Sequence, residues 1–326
     1  TNMQVVGTDT EPVLGGDPTQ GYQRNIQINR VGRTVNTHSH FIETTDNFRT
    51  DLGFQNRFFK PDTSGIHNSL NLNFYPENPN INSWTAGLFD VYLNDTDGTR
   101  IYHQLGPNFE LNFATTTIGA RFTDYAEILR PKDFIGVISN TRYDYENWQI
   151  DFSNNTSQTA SIRASYRQGR ALNLVPTRGA LPYVANTSRV DISFFWRPIE
   201  RLQIQNTYFL TELENRNSDT KIFTNEIFRS NWNYQFTKEL SLRFITQYDK
   251  TDSGPATRLE DNENLNFDLL LRYVINPWSA FYVGYNSNQS NFDIVEMEGE
   301  RELVVANELR QDGDQIFVKF SYLFQR

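Results

Sequence analysis

The chain has 326 residues, a net charge of −9 and no cysteine, and 14% of it is Phe, Trp or Tyr. An acidic balance of this size argues against a nucleic-acid partner, and the lack of cysteine fits an exported protein that uses no disulfides. No run approaches eighteen apolar residues, which excludes transmembrane helices but not a barrel, where every second residue faces a polar lumen.

Taken in order, residues 1–20 are rich in Gly, Pro, Thr and Asp and read as an irregular lead-in, with a β-domain over 21–326. The first residue is threonine and no signal peptide precedes it, so the chain reads as processed or truncated. Strands are expected over 22–31 and 33–44, and 47–59 (NFRTDLGFQNRFF) reads as a short strand entering a turn. From Ile66 the pattern sharpens. Leu70, Leu72 and Phe74 alternate with asparagines before the PENPN turn, and Trp84, Ala86 and Leu88 follow it. Phe109, Leu111 and Phe113 run into a short turn, and Ile118, Ala120 and Phe122 leave it.

Trp148, Ile150 and Phe152 then meet the turn NNTSQT, and Ile162, Ala164 and Tyr166 rise from it. The same cycle recurs around RPIE (197–200), TKE (237–239) and NPWS (276–279). The last strand, DQIFVKFSYLFQR (314–326), places Ile316, Val318, Phe320, Tyr322 and Phe324 on one face. A terminal strand with an aromatic finish resembles the closing strand of a bacterial outer-membrane barrel, which also serves as the signal for the assembly machinery.

Two regularities decide between a membrane barrel and a soluble sandwich. Connections alternate short and long, as periplasmic turns and outer loops do. Trp84, Trp196, Trp232 and Trp278 lie beside or near the short turns, where an amphipathic ring suits a membrane interface. The expected fold is therefore all-β, a transmembrane antiparallel up-and-down β-barrel with about 14–16 strands, in the outer membrane of a diderm bacterium.

The segments QFTKELSLRFITQYD (235–249) and LNFDLLLRYVINPWSAFYVGYN (265–286), with DLGF at 51–54, resemble a bacterial barrel family, domain of unknown function 5916. Its members typically carry an N-terminal domain similar to carbohydrate-binding module family 9. The resemblance covers 22–326 and implies a large outer-membrane barrel. The binding-module-like segment is not in this sequence, so no carbohydrate role carries over. Family barrels are longer, which leaves open whether 21–326 is a whole barrel or its C-terminal part.

No local motif marks catalysis, and the protein reads as a non-enzyme without a cofactor. Among His38, His40, His67 and His103, the first two share a strand face, but no third ligand is apparent and no metal site is expected. With the apolar face outward, Arg163, Arg167, Arg197, Arg243 and Arg272 point inward with Asp191 and Asp268, and are the candidate pore-lining residues. Arg189, Asp151, Asp249, Gln203, Gln205, Gln247 and Asn266 share that parity. Such walls either filter solutes by a transverse field or bridge the interior as ion pairs. The segment 293–313, with Glu296, Glu298, Glu300, Glu302 and Glu308, reads as a long acidic outer loop.

Two functional classes remain open at this point. One is a pore or transporter for small polar solutes or saccharides; the other is an anchoring barrel that holds a surface or periplasmic protein. Membrane lipid, lipopolysaccharide and, through the last strand, the barrel-assembly machinery are the remaining expected partners.

Overall fold

A computed structural model describes residues 2–9, 21–45, 62–155, 157–297 and 300–323, with side chains described for these except at 2–9, 293–303 and 307. The regular elements among them are sixteen strands. They are β1 (Asn2–Asp9), β2 (Tyr22–Arg30), β3 (Val35–Thr44), β4 (Thr63–Phe74), β5 (Ser83–Asp95), β6 (Arg100–Phe113), β7 (Thr116–Leu129) and β8 (Thr141–Asn154). Then follow β9 (Ala160–Asn173), β10 (Tyr183–Ile199), β11 (Leu202–Glu214), β12 (Lys221–Gln235), β13 (Leu240–Ser253), β14 (Asn262–Asn276), β15 (Ser279–Met297) and β16 (Glu300–Tyr322). All sixteen join one sheet in sequence order, an up-and-down meander.

Three expectations need correction. Residues 2–9 are not irregular but pair antiparallel with β2, Met3 opposite Ile28 and Val5 opposite Ile26. Their Gly, Thr and Asp content hides a short alternation that the partner strand completes. Within the acidic segment, 293–297 and 300–313 are strand rather than loop. They continue β15 and β16 as a hairpin, with Phe292 opposite Val305 and Met297 opposite Glu300, because ladder bonds persist wherever both strands keep an extended backbone. Alternation of short and long connections also fails once more, between β5 and β6. There residues 96–99 turn tightly, Gly98 taking a positive φ of 85° and donating its N–H to the Asp95 carbonyl at 2.9 Å. The expected strand over 47–59, with its DLGF core, lies outside the described residues.

The chain forms two compact units, one of 1–150, 169–172 and 179–184, the other of 151–168, 173–178 and 185–326. In the second, strand register assembles apolar rows across the outer face. Trp196, Ile204, Trp232, Phe244, Leu269, Tyr285 and Ile316 stand opposite one another in turn. Nearer the short turns, Leu202, Tyr234, Leu242, Leu271, Val283 and Val318 form the next row. The apolar rows end at Glu226, Lys250 and Glu263, which oppose one another on the same face.

In the first unit, Leu72, Ala86, Phe109 and Ala120 form one such row, and Phe74, Trp84, Leu111 and Ile118 another. The Phe74 and Trp84 rings stack at 3.8 Å. Phe74, Phe109, Ile118, Phe122, Trp196, Trp232, Leu269 and Leu271 are all exposed. Continuous apolar exposure of this extent is unfavourable in water and natural against lipid.

The opposite, inner face differs between the units. In the second it is dominated by Arg, Asp, Asn, Gln and Thr. In the first it carries Val91, Leu93 and Tyr102, against which Phe89 and Tyr125 pack.

Candidate functional site

The register puts Arg243, Arg272 and Asp268 on the face opposite to the apolar rows of β13 and β14. Arg243 stands opposite Asn233 and Leu270, Arg272 opposite Ser241 and Tyr282, and Asp268 opposite Ile245 and Asn286. Arg243 is therefore diagonal to both Arg272 and Asp268, a spacing of roughly 7–8 Å across neighbouring strands. Asp268 accepts a hydrogen bond from Asn286 Nδ2 at 2.8 Å rather than pairing with Arg243. Among the described residues no carboxylate lies within ion-pair distance of the exposed Arg243, Arg272 or Arg163.

Asp191 pairs with its strand neighbour Arg189, whose Nη2 lies 3.0 Å from Oδ1. Arg167 is half-buried. Arg197 sits with its guanidinium 5.8 Å from the Phe195 ring centroid, and its Nε is buried without a hydrogen-bond partner. The structure thus brings Arg243, Arg272 and Asp268 together, and Asp191 with Arg189.

The first unit carries a second concave site. A cavity of about 510 Å³ lies on the inner face of β3–β7, lined in part by His40, His67, Asn71, Phe89, Val91, Leu93, Asn108 and Arg121. His40 stands directly opposite His67. The His38 ring centroid lies 5.9 Å from that of His40 and 5.1 Å from that of His67. His38 Nδ1 makes a 2.6 Å hydrogen bond with Asn29 Oδ1, and His40 Nε2 one of 3.2 Å with Asn25 Oδ1. Among the described residues no group of three or more His, Cys, Asp or Glu is arranged to hold a metal ion.

Sequence reading missed His67 and Arg121 as neighbours of this site. The parity signal was present, but which strand pairs with which, and in what register, is written only in the sheet.

Beyond the apolar rows of this unit, an ionic clamp ties the β7–β8 connection to the end of β5. The Arg130 side chain is 4% exposed. Its Nε and Nη2 donate to the Asp133 carboxylate at 2.8 Å each. Its Nη1 lies 2.9 Å from Asp95 Oδ2 as an ionic contact rather than an aligned hydrogen bond. Lys132 reaches Asp62 and, at 3.3 Å, Asp95. Burial works against ionisation of Asp95, yet the Arg130 guanidinium beside it and hydrogen bonds from the Thr96 amide and Lys132 hold its carboxyl below the usual range.

A sequential antiparallel meander, apolar on one face and polar on the other, defines a transmembrane β-barrel of the outer-membrane class. No family model matches the chain, and no curated protein matches it in sequence. Among solved structures, OmpT of Vibrio cholerae aligns over 98% of this chain and 95% of its own, with 12% identity and a TM-score of 0.42. A porin aligns over 78% of this chain and 96% of its own, with 10% identity and a TM-score of 0.39. A Pseudomonas aeruginosa FadL homologue aligns over 98% and 84%, with 10% identity and a TM-score of 0.30. These likenesses are distant, and the class rests on strand order and face polarity.

Proposed function

We propose that the protein is an outer-membrane pore for small polar solutes or saccharides. The observation that carries this reading is the exposure of Arg243 and Arg272 on the inner face without a carboxylate partner among the described residues. Arginines that only bridged an interior would be satisfied by acids, because an unpaired buried charge is costly. Left exposed beside Asp268, they supply a field that acts on passing ions.

Purified protein in a planar bilayer is expected to conduct, and replacing Arg243 and Arg272 with glutamine to shift selectivity towards cations. Absence of conductance from correctly folded, inserted protein would overturn the proposal. The anchoring barrel, holding a surface or periplasmic protein, would then be the better reading. One observation favours that second reading: Val91, Leu93, Tyr102, Glu127 and Tyr145 are buried on the inner face of the first unit.

Membership of the barrel family of domain of unknown function 5916 belongs to the same proposal, supported by the segments 235–249 and 265–286. So does recognition of the last strand by the assembly machinery.

A further inference from the structure

We propose that the cavity on the inner face of β3–β7 binds an organic anion with an apolar body, a small aromatic or short-chain carboxylate. The inference is independent of whether the barrel conducts. A volume of about 510 Å³ falls within the 300–1,000 Å³ usual for small-molecule sites.

The cavity exists because three inner-face positions on successive strands, Gly65, Gly87 and Gly106, carry no side chain. Each vacancy is covered by a flattened neighbour. A Cβ at Gly106 would fall within the Phe89 ring, one at Gly65 within the Leu93 side chain, and one at Gly87 against the amides of Asn71 and Asn108. The floor is thus built from ring, alkyl and amide surfaces laid against bare backbone. Any side chain at these glycines would push those groups up into the space.

The lining chemistry selects the ligand. None of the described lining residues is a carboxylate, whereas Arg121 lines the cavity, opposite Asn108 on the neighbouring strand. Its guanidinium lies 5.5 Å from the Phe89 ring centroid, and no carboxylate lies within ion-pair distance of it among the described residues. The cation–π contact orients the guanidinium without neutralising it, so its charge stays available to an acceptor. Asn71 and Asn108 add amide donors, and His40 and His67 add imidazoles, while Val91 and Leu93 provide an apolar wall. A cation would meet no countercharge among the described lining residues, and a sugar would waste the apolar wall. A carboxylate on a ring or short alkyl chain uses both surfaces.

The test is calorimetry on the folded protein in detergent, with benzoate as probe and benzamide as its neutral counterpart. Folding of each variant is checked by heat-modifiable gel migration. Benzoate is expected to bind one-to-one and more tightly than benzamide. Arg121→Gln should weaken benzoate about ten- to a hundredfold, the loss expected of a hydrogen bond to a charged group, and leave benzamide unchanged. Val91→Trp should abolish both by filling the space, and Lys319→Gln, an inner-face cation outside the described lining, should alter neither. The proposal is overturned if wild-type protein takes up no benzoate, if the two probes bind alike, or if Lys319→Gln costs as much as Arg121→Gln. Should Val91→Trp fail to fold, the Arg121→Gln comparison decides alone. Detergent calorimetry reads the cavity whether or not a bilayer conducts, so failure here and failure of the pore reading are separate results.

Discussion

Arginine introduced at Leu269 tests which solvent the outer face meets. On β14 the outward positions run Leu265, Phe267, Leu269, Leu271, Tyr273, and the preceding outward residue is Glu263. Eight residue steps from Leu265 to Tyr273 span about 27 Å along an antiparallel strand. With the tilt of roughly 40° usual for such strands, that is about 20 Å of membrane normal, close to the hydrocarbon band of about 25 Å. Leu269 is the midpoint of this run, is 40% exposed, and is flanked by Phe244 and Tyr285. A charge there sits at the depth of greatest cost, about 2–4 kcal/mol.

Leu270→Arg is the control on the same strand. Leu270 faces inward between Arg243 and Gly284, where a cation reaches solvent but meets a like charge, costing about 1 kcal/mol or less. Urea unfolding in lipid vesicles reads both. Leu269→Arg should lower the midpoint by about 1 M, taking an m-value of roughly 3 kcal/mol/M, and Leu270→Arg by much less. Equal damage at the two positions would refute the assignment of faces, since a one-residue slip exchanges them.

Three further outcomes are expected. Arg130→Gln should destabilise by about 3–5 kcal/mol by removing the buried cation that Asp95 and Asp133 share, read as faster hydrogen exchange over 130–140. Because the folded state depresses the Asp95 pKa, its stabilisation is full at neutral pH and is lost as pH falls below about 4; protection over 130–140 unchanged at pH 2 would contradict this. Gly284→Ala should cost about 1–3 kcal/mol, because its Cβ would intrude on the Phe317 ring, and should cost far less in a Phe317→Ala background, as a double-mutant cycle would reveal. Deleting Leu323–Arg326 removes the Leu323 N–H bond of 3.0 Å to the Trp278 carbonyl and the aromatic end of the chain; membrane insertion should fall more than intrinsic stability, and normal surface levels would count against it.

The strands were legible because lipid on one side and polar surroundings on the other enforce a period of two over long stretches. Leu265 to Tyr273 alternates with Asn266, Asp268 and Arg272, and only Leu270 breaks the polar series. Turn positions were legible for a different reason. TKE and NPWS supply the residues that tight reversals need, and Thr237 Oγ1 indeed accepts from the Glu239 and Leu240 amides.

What stayed hidden lies where composition and geometry part. The 2–9 strand carries turn-forming residues but has a partner to complete it, and the stretches 293–297 and 300–313 are acidic yet stay paired. The cavity was hidden most deeply. Gly65, Gly87 and Gly106 are unremarkable one at a time, and become a site only when register sets their strands side by side with Phe89, Leu93 and Arg121 across them.

This division of labour follows from the fold itself. An outward residue has one task, to be apolar at its depth, so Leu242, Leu269, Leu271 and Val283 carry little information beyond their greasiness. Inward residues are released from that task, and chemistry can accumulate there without cost to insertion. The second unit uses the freedom for Arg243, Arg272 and Asp268, arranged diagonally so that the charges stay separate instead of collapsing into pairs. The first uses it differently. It removes side chains at three glycines, lays aromatic and amide groups over the gaps, and leaves Arg121 beside the hollow. On the two proposals made above, small inner-face residues and inner-face cations set this protein's specificity, and the alternate positions keep it in the membrane.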